Sequence, residues 1–332
     1  MQIRGRENLG IPQELNEALQ RFRAKADEIL RSVFEPVDTK PPPSAIYHYT
    51  SDAGLRGILE SGQLWLSDIF SMNDPSELRH GMSPAVEILK ARARADRREQ
   101  KLFADDFSNF SELSIEATAH YFVCSFSSDS EELGQWRAYA DNGRGYVLGF
   151  DGKELEDAFI GSSTTPNPTT RLLRSTFRVN YDDAELSKIH GKLIDAMFDL
   201  ISLPRGRKDL DSDSINEYTR ALSIYTSQYV LSTAIFFKHE AYRHESEFRF
   251  QELHEVSGSP PDVKRRYRSH QMVKYREFDW RSRQPRALRE IVVGPAADRD
   301  KALQFARDCL ASFGYKHVTV RQSQIPYRVI QY

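Results

Sequence analysis

Pro41, Pro42 and Pro43 stand in a row between Lys40 and Ser44, and they restrict this chain more than any other short stretch. Each proline removes a backbone donor and fixes φ, so no helix continues through the tract and no central strand contains it. Whatever precedes it must end there, and whatever follows starts afresh from a stiff approach. Upstream, residues 12–34 place Pro12 in a first turn and Leu15, Leu19, Phe22, Ile29 and Leu30 at roughly helical spacing, which predicts a helix. Downstream, Ala45-Ile46-Tyr47-His48-Tyr49-Thr50 predicts a short strand. We therefore expect an N-terminal helical appendage over residues 1–40 and a main domain over 41–332.

Alternate side chains of a strand share a face, so His48 and Thr50 are expected to point together and Tyr47 and Tyr49 the other way. A polar pair at the end of an apolar run, followed by Ser51-Asp52-Ala53-Gly54, suits ligand binding better than core filling. Further strands are predicted at 63–67, 120–127, 145–150, 177–181, 245–252, 291–293 and 318–321. Helices are expected at 53–61, through most of 76–118, at 131–140, and at 298–313 ending in Gly314. A long helical insertion is expected at 183–242, interrupted near Pro204, and the strip Lys264-Arg265-Arg266-Tyr267-Arg268 reads first as solvated loop and second as a local contact site. Helices of unequal length between clustered strands predict α+β, with a mainly antiparallel split sheet and flanking helices, instead of alternating βαβ units.

The composition bounds the partners. The formal net charge of −2 offers no global basic field for nucleic acid or an anionic membrane. No apolar run reaches the ~20 residues that span a bilayer, and the first residues lack the apolar core of a signal peptide. Cys124 and Cys309 have no metal-ligand spacing around them, which predicts a reducing, cytoplasmic setting and neither disulfide nor zinc.

Several stretches invite chemistry and are decided by geometry. Glu245-x-Glu247-x-Arg249 places three charges on one strand face, with Phe248 and Phe250 towards the core. An exposed strand face is the plain explanation, yet two carboxylates on one face repel unless something cationic or hydroxyl-bearing lies between them. A ribose would serve. His239 and His244 are five apart, about 140° round a helix, so they do not share one metal from one helical face. Residues 143–149 carry glycines at the wrong spacing for a dinucleotide loop and precede a strand, so a hairpin turn is expected there. Cys124 reads as a buried, inert thiol. Trp136 and Tyr139, three apart on a helix, are expected to form one aromatic patch, in the core or as a wall for a base.

Taken in order, Tyr47-His48-Tyr49-Thr50, Asn73-Asp74-Pro75-Ser76-Glu77, Cys124-Ser125-Phe126-Ser127, Trp136-Arg137-Ala138-Tyr139, Gly145 to Phe150 and Glu245-Ser246-Glu247-Phe248-Arg249 resemble a widespread bacterial family of uncharacterised domains. The match spans about residues 45–295. That family is in turn similar to divergent ADP-ribosyltransferase-like proteins, and the resemblance implies their fold, with NAD as substrate and no metal. It implies that His48 binds the adenosine-side ribose with Thr50 in support, and that Glu247 stabilises the charge developing on the nicotinamide ribose. Glu245 would orient or deprotonate the acceptor. Tyr139, Tyr146 and Ser125 compete for the middle position, Tyr139 being favoured with Trp136 as wall, and Asn73, Asp74 and Glu77 would close a loop over substrate or cap a helix.

The function so implied is an NAD-dependent ADP-ribosyltransferase acting on a protein or nucleic-acid acceptor, in the manner of a toxin or phage-defence effector, with an antitoxin or regulatory partner and no membrane contact. An NAD hydrolase would use the same site. A non-catalytic nucleotide or nucleic-acid-binding module is the second class, and retention of both His48 and Glu247 leans against it. A nuclease using these two residues as acid and base is the third.

Overall fold

The computed structural model describes residues 11–38, 41–71, 75–94, 96–108, 119–161, 171–255, 262–268 and 270–327. Among these residues ten strands form one open sheet: β1 (Ala45–Thr50), β2 (Gln63–Asp68), β3 (Ala119–Ser127), β4 (Tyr146–Asp151), β5 (Arg171–Arg178), β6 (Glu247–Glu255), β7 (Lys264–Arg268), β8 (Gln271–Asp279), β9 (Leu288–Val293) and β10 (Thr319–Gln322). Along its main path the order is β10-β9-β4-β1-β3-β2-β8-β7, with β6 on the other edge of β3 and β5 beyond it. The β9–β10 pair is parallel and the other strand pairs are antiparallel. The expected α+β class with a mostly antiparallel sheet and flanking helices therefore holds.

The sheet forks at β3. One long edge of β3 pairs with β6 from Ala119↔Glu255 to Ser127↔Glu247. The other edge is shared: β1 meets it at Tyr47↔Ser127, and β2 at Ser67↔Val123 and Asp68↔Phe122. Between those contacts β1 and β2 diverge, and the β3 edge over residues 124–126 looks into the wedge.

Helices cover both faces. On one face α2 (Asp52–Ser61), α6 (Gly152–Gly161) and α9 (Arg299–Phe313) bury Leu55, Leu59, Phe159 and Leu310 against Leu64, Leu66, Leu148, Phe150, Phe250 and Ile291. With cover on both sides β4 is buried from Tyr146 to Phe150, the composition expected of a strand with no wet face. Ser51 Oγ caps α2 by accepting from the Gly54 amide at 3.2 Å, and Gly62 ends it in the left-handed region at φ 69°, where a side chain would be strained.

The opposite face carries α5 (Leu133–Tyr139) at one end and a helical layer at the other. That layer comprises α1 (Gln13–Asp38), α3 (Pro75–Arg92), α4 (Arg98–Ser108), α7 (Asp183–Met197) and α8 (Ser212–Ala234). The helix expected as an appendage packs inside it: Leu15, Leu19, Phe22 and Leu30 share a core with Leu193 of α7 and with Leu222 and Tyr229 of α8. Tyr229 donates to Asp27 at 2.9 Å.

Three local expectations are corrected. Residues 264–268, read as solvated loop, form β7 paired along β8 at the end of the sheet; basic residues on an edge strand discourage further pairing instead of marking a loop. The strand expected at 177–181 runs over Arg171–Arg178. The turn at 141–143 joins α5 to β4 as a 3-10 segment and closes no hairpin, since β4 pairs with β1 and β9.

Candidate functional site

A cavity of about 450 Å³ fills the wedge between β1 and β2, within the range of small-molecule sites. It brings together His48, Thr50, Ser125, Tyr139, Glu245 and Glu247 among the residues expected from the sequence. Lys238, Tyr242, Gln135, Trp65 and Arg266 line it too, and sequence reasoning missed all five.

Tyr47, Ser127 and Glu247 sit side by side across β1, β3 and β6, so His48 leaves β1 on the opposite side of the pleat from Glu247. The two meet one cavity only because β1 parts from β3 just beyond Tyr47. His48 Nδ1 donates to the Ser125 carbonyl at 3.2 Å, and its ring lies 5.7 Å from that of Phe126. Burial pushes the imidazole pKa below its ordinary value. A neutral ring that donates from Nδ1 presents Nε2 as an acceptor. Thr50 lies under the first turn of α2: a Cβ added to Gly54 would fall 1.9 Å from Thr50 Oγ1, so glycine is what lets the helix approach.

Glu247 opens β6 and is buried. Arg249 Nε donates to it at 2.7 Å, Arg249 Nη2 at 3.1 Å and Lys238 Nζ at 3.2 Å. Burial would raise its pKa, but Arg249, Lys238 and a hydrogen bond from the Ser125 hydroxyl outweigh that and hold it at about 2. The carboxylate is therefore ionised across the physiological range. Glu245 is buried as well, yet it lies in the 3-10 turn Glu240–Glu245, and Ser246 adopts φ 45° between the two acids. The expected strand alternation of 245, 247 and 249 thus starts only at Glu247. What separates the carboxylates is Lys238, 2.5 Å from Glu245 and 3.2 Å from Glu247. A protein cation occupies the role that the sequence reading left for a ribose.

Trp136 and Tyr139 part company. Trp136 is fully buried, 5.1 Å edge-on to Tyr49, in a small core with Val147 and Val292. It does not line the cavity, and its expected place as a wall is corrected: the inner side of α5 closes over the sheet. Tyr139, in the last turn of the helix, is 39% exposed and does line it. Tyr242 lines it as well, with Lys238 Nζ 4.9 Å from its ring centre. Cys124 borders the cavity, and burial pushes its thiol up to about 12, which suits a protonated, unreactive group. Asn73 and Asp74 lie outside the described residues, and of Glu77 only the backbone, in α3, is described.

The missed residues left faint traces. Lys238 opens the polar stretch Lys238-His239-Glu240, in which the His-Glu pair is the more conspicuous pattern. Trp65 and Arg266 sit on strands whose pairing through β8 is invisible in local pattern.

Residues 135–250 match the family model described as "Protein of unknown function (DUF2971)". The matched segment holds Gln135, Tyr139, Lys238, Glu245, Glu247 and Arg249, and stops short of His48, Trp65 and Arg266 at either side. No curated protein and no solved structure matches the chain.

Proposed function

We propose that this chain transfers ADP-ribose from NAD to a macromolecular acceptor, on an ADP-ribosyltransferase-like core. The observation that supports this reading best is Glu247: a buried carboxylate held ionised by Arg249 and Lys238 on the wall of a cavity that His48 and Thr50 share. Fixed negative charge is what a ribose C1′ requires as its bond to nicotinamide breaks, and a preorganised carboxylate supplies it without reorganising solvent. The bonding pair leaves with the nicotinamide nitrogen, which departs neutral. The acceptor's lone pair then closes on C1′, and its proton leaves to Glu245 or to water. His48 Nε2 accepts from a ribose hydroxyl, and Tyr139 and Tyr242 flank the ring that departs. With water as acceptor the same steps make a hydrolase.

One observation favours a second reading. Glu247, Lys238, Glu245 and Arg249 form a closed ion network, and such a network can serve architecture alone. The cavity would then bind a nucleotide without cleaving it.

Adenine-labelled NAD incubated with purified protein and a cell lysate, beside Glu247→Gln, separates these outcomes. Transfer of label by the parent, reduced about 10²–10³-fold or more in the variant, is the expected result. Free ADP-ribose alone identifies a hydrolase. Equal turnover by parent and variant sinks the catalytic assignment, and no turnover by the parent puts the binding reading first.

A further inference from the structure

β7 and β8 form a two-stranded ribbon at the end of the sheet, and among the described residues no strand pairs with the outer edge of β7. β8 pairs with β2 only from Tyr275 to Asp279, so residues 271–274 and their β7 partners continue beyond that pairing. The register gives the ribbon two different sides. Arg266, opposite Val273, turns towards the cavity, where its guanidinium lies 5.1 Å from the Trp65 ring centre. Alternation sends Arg265 and Tyr267 to the other side, opposite Lys274 and Met272 respectively. There Tyr267 is 84% exposed and Met272 51%.

Protection of an open edge accounts for basic side chains on β7. It does not account for a tyrosine and a methionine directly across from one another and both in water. Residues 264–276 also hold six Lys or Arg and no Asp or Glu, in a chain whose formal net charge is −2. The ribbon therefore combines a run of basic residues with a bare aromatic face, and the complement of that pairing is an anionic polymer bearing flat rings. The spacing agrees. Arg265 and Tyr267, two residues apart on one side, stand about 7 Å apart along the strand, so a guanidinium and a ring meet a phosphate and the base beside it. Stacking on tyrosine needs a base that is not already stacked in a duplex, which favours a single strand.

We infer that this side of the β7–β8 ribbon binds single-stranded nucleic acid, with a base stacked on Tyr267 and the adjoining phosphate on Arg265. Met272 extends the apolar surface under the base. Arg266 lies between the two in sequence and lines the cavity, so a strand held by Tyr267 reaches the cavity by crossing the open edge of β7. On the transferase reading of that cavity the bound strand is the acceptor of ADP-ribose. That assignment rests on Glu247 acting as proposed, whereas the binding rests on Tyr267 and Arg265 alone.

Fluorescence anisotropy with labelled oligothymidine and oligouridine of about 20 nucleotides, longer than the ~4–16 that one single-strand platform covers, tests the surface. The parent is expected to bind both. Tyr267→Ala should weaken binding about 5–100-fold, the worth of one stacked base, and Tyr267→Phe, which keeps the ring, should restore it. Arg265→Gln should flatten the dependence of log affinity on log salt by about 0.7, one phosphate contact to a single strand. Both side chains are exposed, so the folded state should survive either change, and circular dichroism checks that it does. Equal affinity in the parent and Tyr267→Ala would overturn the proposal, as would a duplex of the same length binding as tightly as the single strands. Polyglutamate binding in place of the oligonucleotides would assign an acidic protein partner and overturn it too. Labelled NAD added to the same mixtures keeps the two readings apart. Oligonucleotide binding through Tyr267 without NAD cleavage leaves the surface standing and the transferase reading fallen. NAD cleavage by a parent that binds no oligonucleotide does the reverse.

Discussion

At the scale of the residue, Lys238 decides what the site can be. It is buried between Glu245 and Glu247, and with Arg249 it lets two carboxylates that would repel stay ionised side by side. Removing one member of a buried pair strands the rest, so Lys238→Met is expected to destabilise the fold by about 3–5 kcal/mol. Adding Glu245→Gln should recover part of that loss, and urea titration of the four proteins in the cycle reads the coupling. The variant also loses one of the cations that depress Glu247. Because the folded pKa of Glu247, about 2, lies below its ordinary 4.5, the stability it contributes is present above pH 4.5 and fades as pH falls towards 2. In Lys238→Met the folded pKa of Glu247 rises, so this pH-dependent contribution should be smaller and be exhausted at a higher pH. A neutral effect of Lys238→Met on stability would show that the cluster is far more solvated than its geometry indicates. The sequence displayed the acids and Arg249 plainly and still gave no hint of Lys238 as their bridge, because the positive φ at Ser246 breaks the alternation on which the strand reading relied.

At the scale of the element, the contact between α2 and β1 sets how wide the wedge opens. Thr50 ends β1 beneath Gly54 with no room for a Cβ. On helix propensity alone Gly54→Ala would stabilise by about 0.8–1 kcal/mol. Here the clash is expected to win, with a net loss of about 1–3 kcal/mol. In a Thr50→Ala background the sign should reverse, and thermal unfolding of single and double variants is the check; Gly54→Ala stabilising the parent would mean that α2 is free to drift from the strand. The face shared by His48 and Thr50 was legible from period-two alternation. Their neighbours were not. Helical spacing put Trp136 and Tyr139 in one aromatic patch, and the structure separates them, one in the core and one on the cavity: periodicity cannot say where the sheet stops covering α5, and the cover runs out within a single turn. Trp65 likewise looked like an ordinary strand aromatic until β8 and β7 placed Tyr275 and Arg266 against it.

At the scale of the whole molecule, α1 joins the helical layer that backs the β3–β6 half of the sheet. Phe22 packs edge-on to Tyr229 with ring centres 5.8 Å apart, and Phe22→Ala is expected to cost about 3–5 kcal/mol. The three tryptophans, Trp65, Trp136 and Trp280, belong to the sheet side of the molecule, so fluorescence reports on the sheet and circular dichroism on the helices. One coincident transition, shifted in both signals, is expected if the two layers unfold together. Loss of helicity with an unmoved fluorescence midpoint would make α1 a separate unit, as the proline tract after Lys40 first suggested.

The amino-acid sequence determined by itself what depends on near neighbours: where the prolines stop a helix, which side chains alternate along β1, that a short helix follows that strand, and that the strands suit an antiparallel α+β sheet. Only the tertiary structure decided the fork at β3, the shared cavity for His48 and Glu247 on opposite sides of the pleat, the bridge of Lys238 and the seat of Arg266 on Trp65. The reason is physical. Alternation and capping follow from backbone geometry within a few residues, whereas the fork and its side-chain partnerships arise from pairings between segments up to about two hundred residues apart, such as Ser67 with Arg266, which no local pattern encodes.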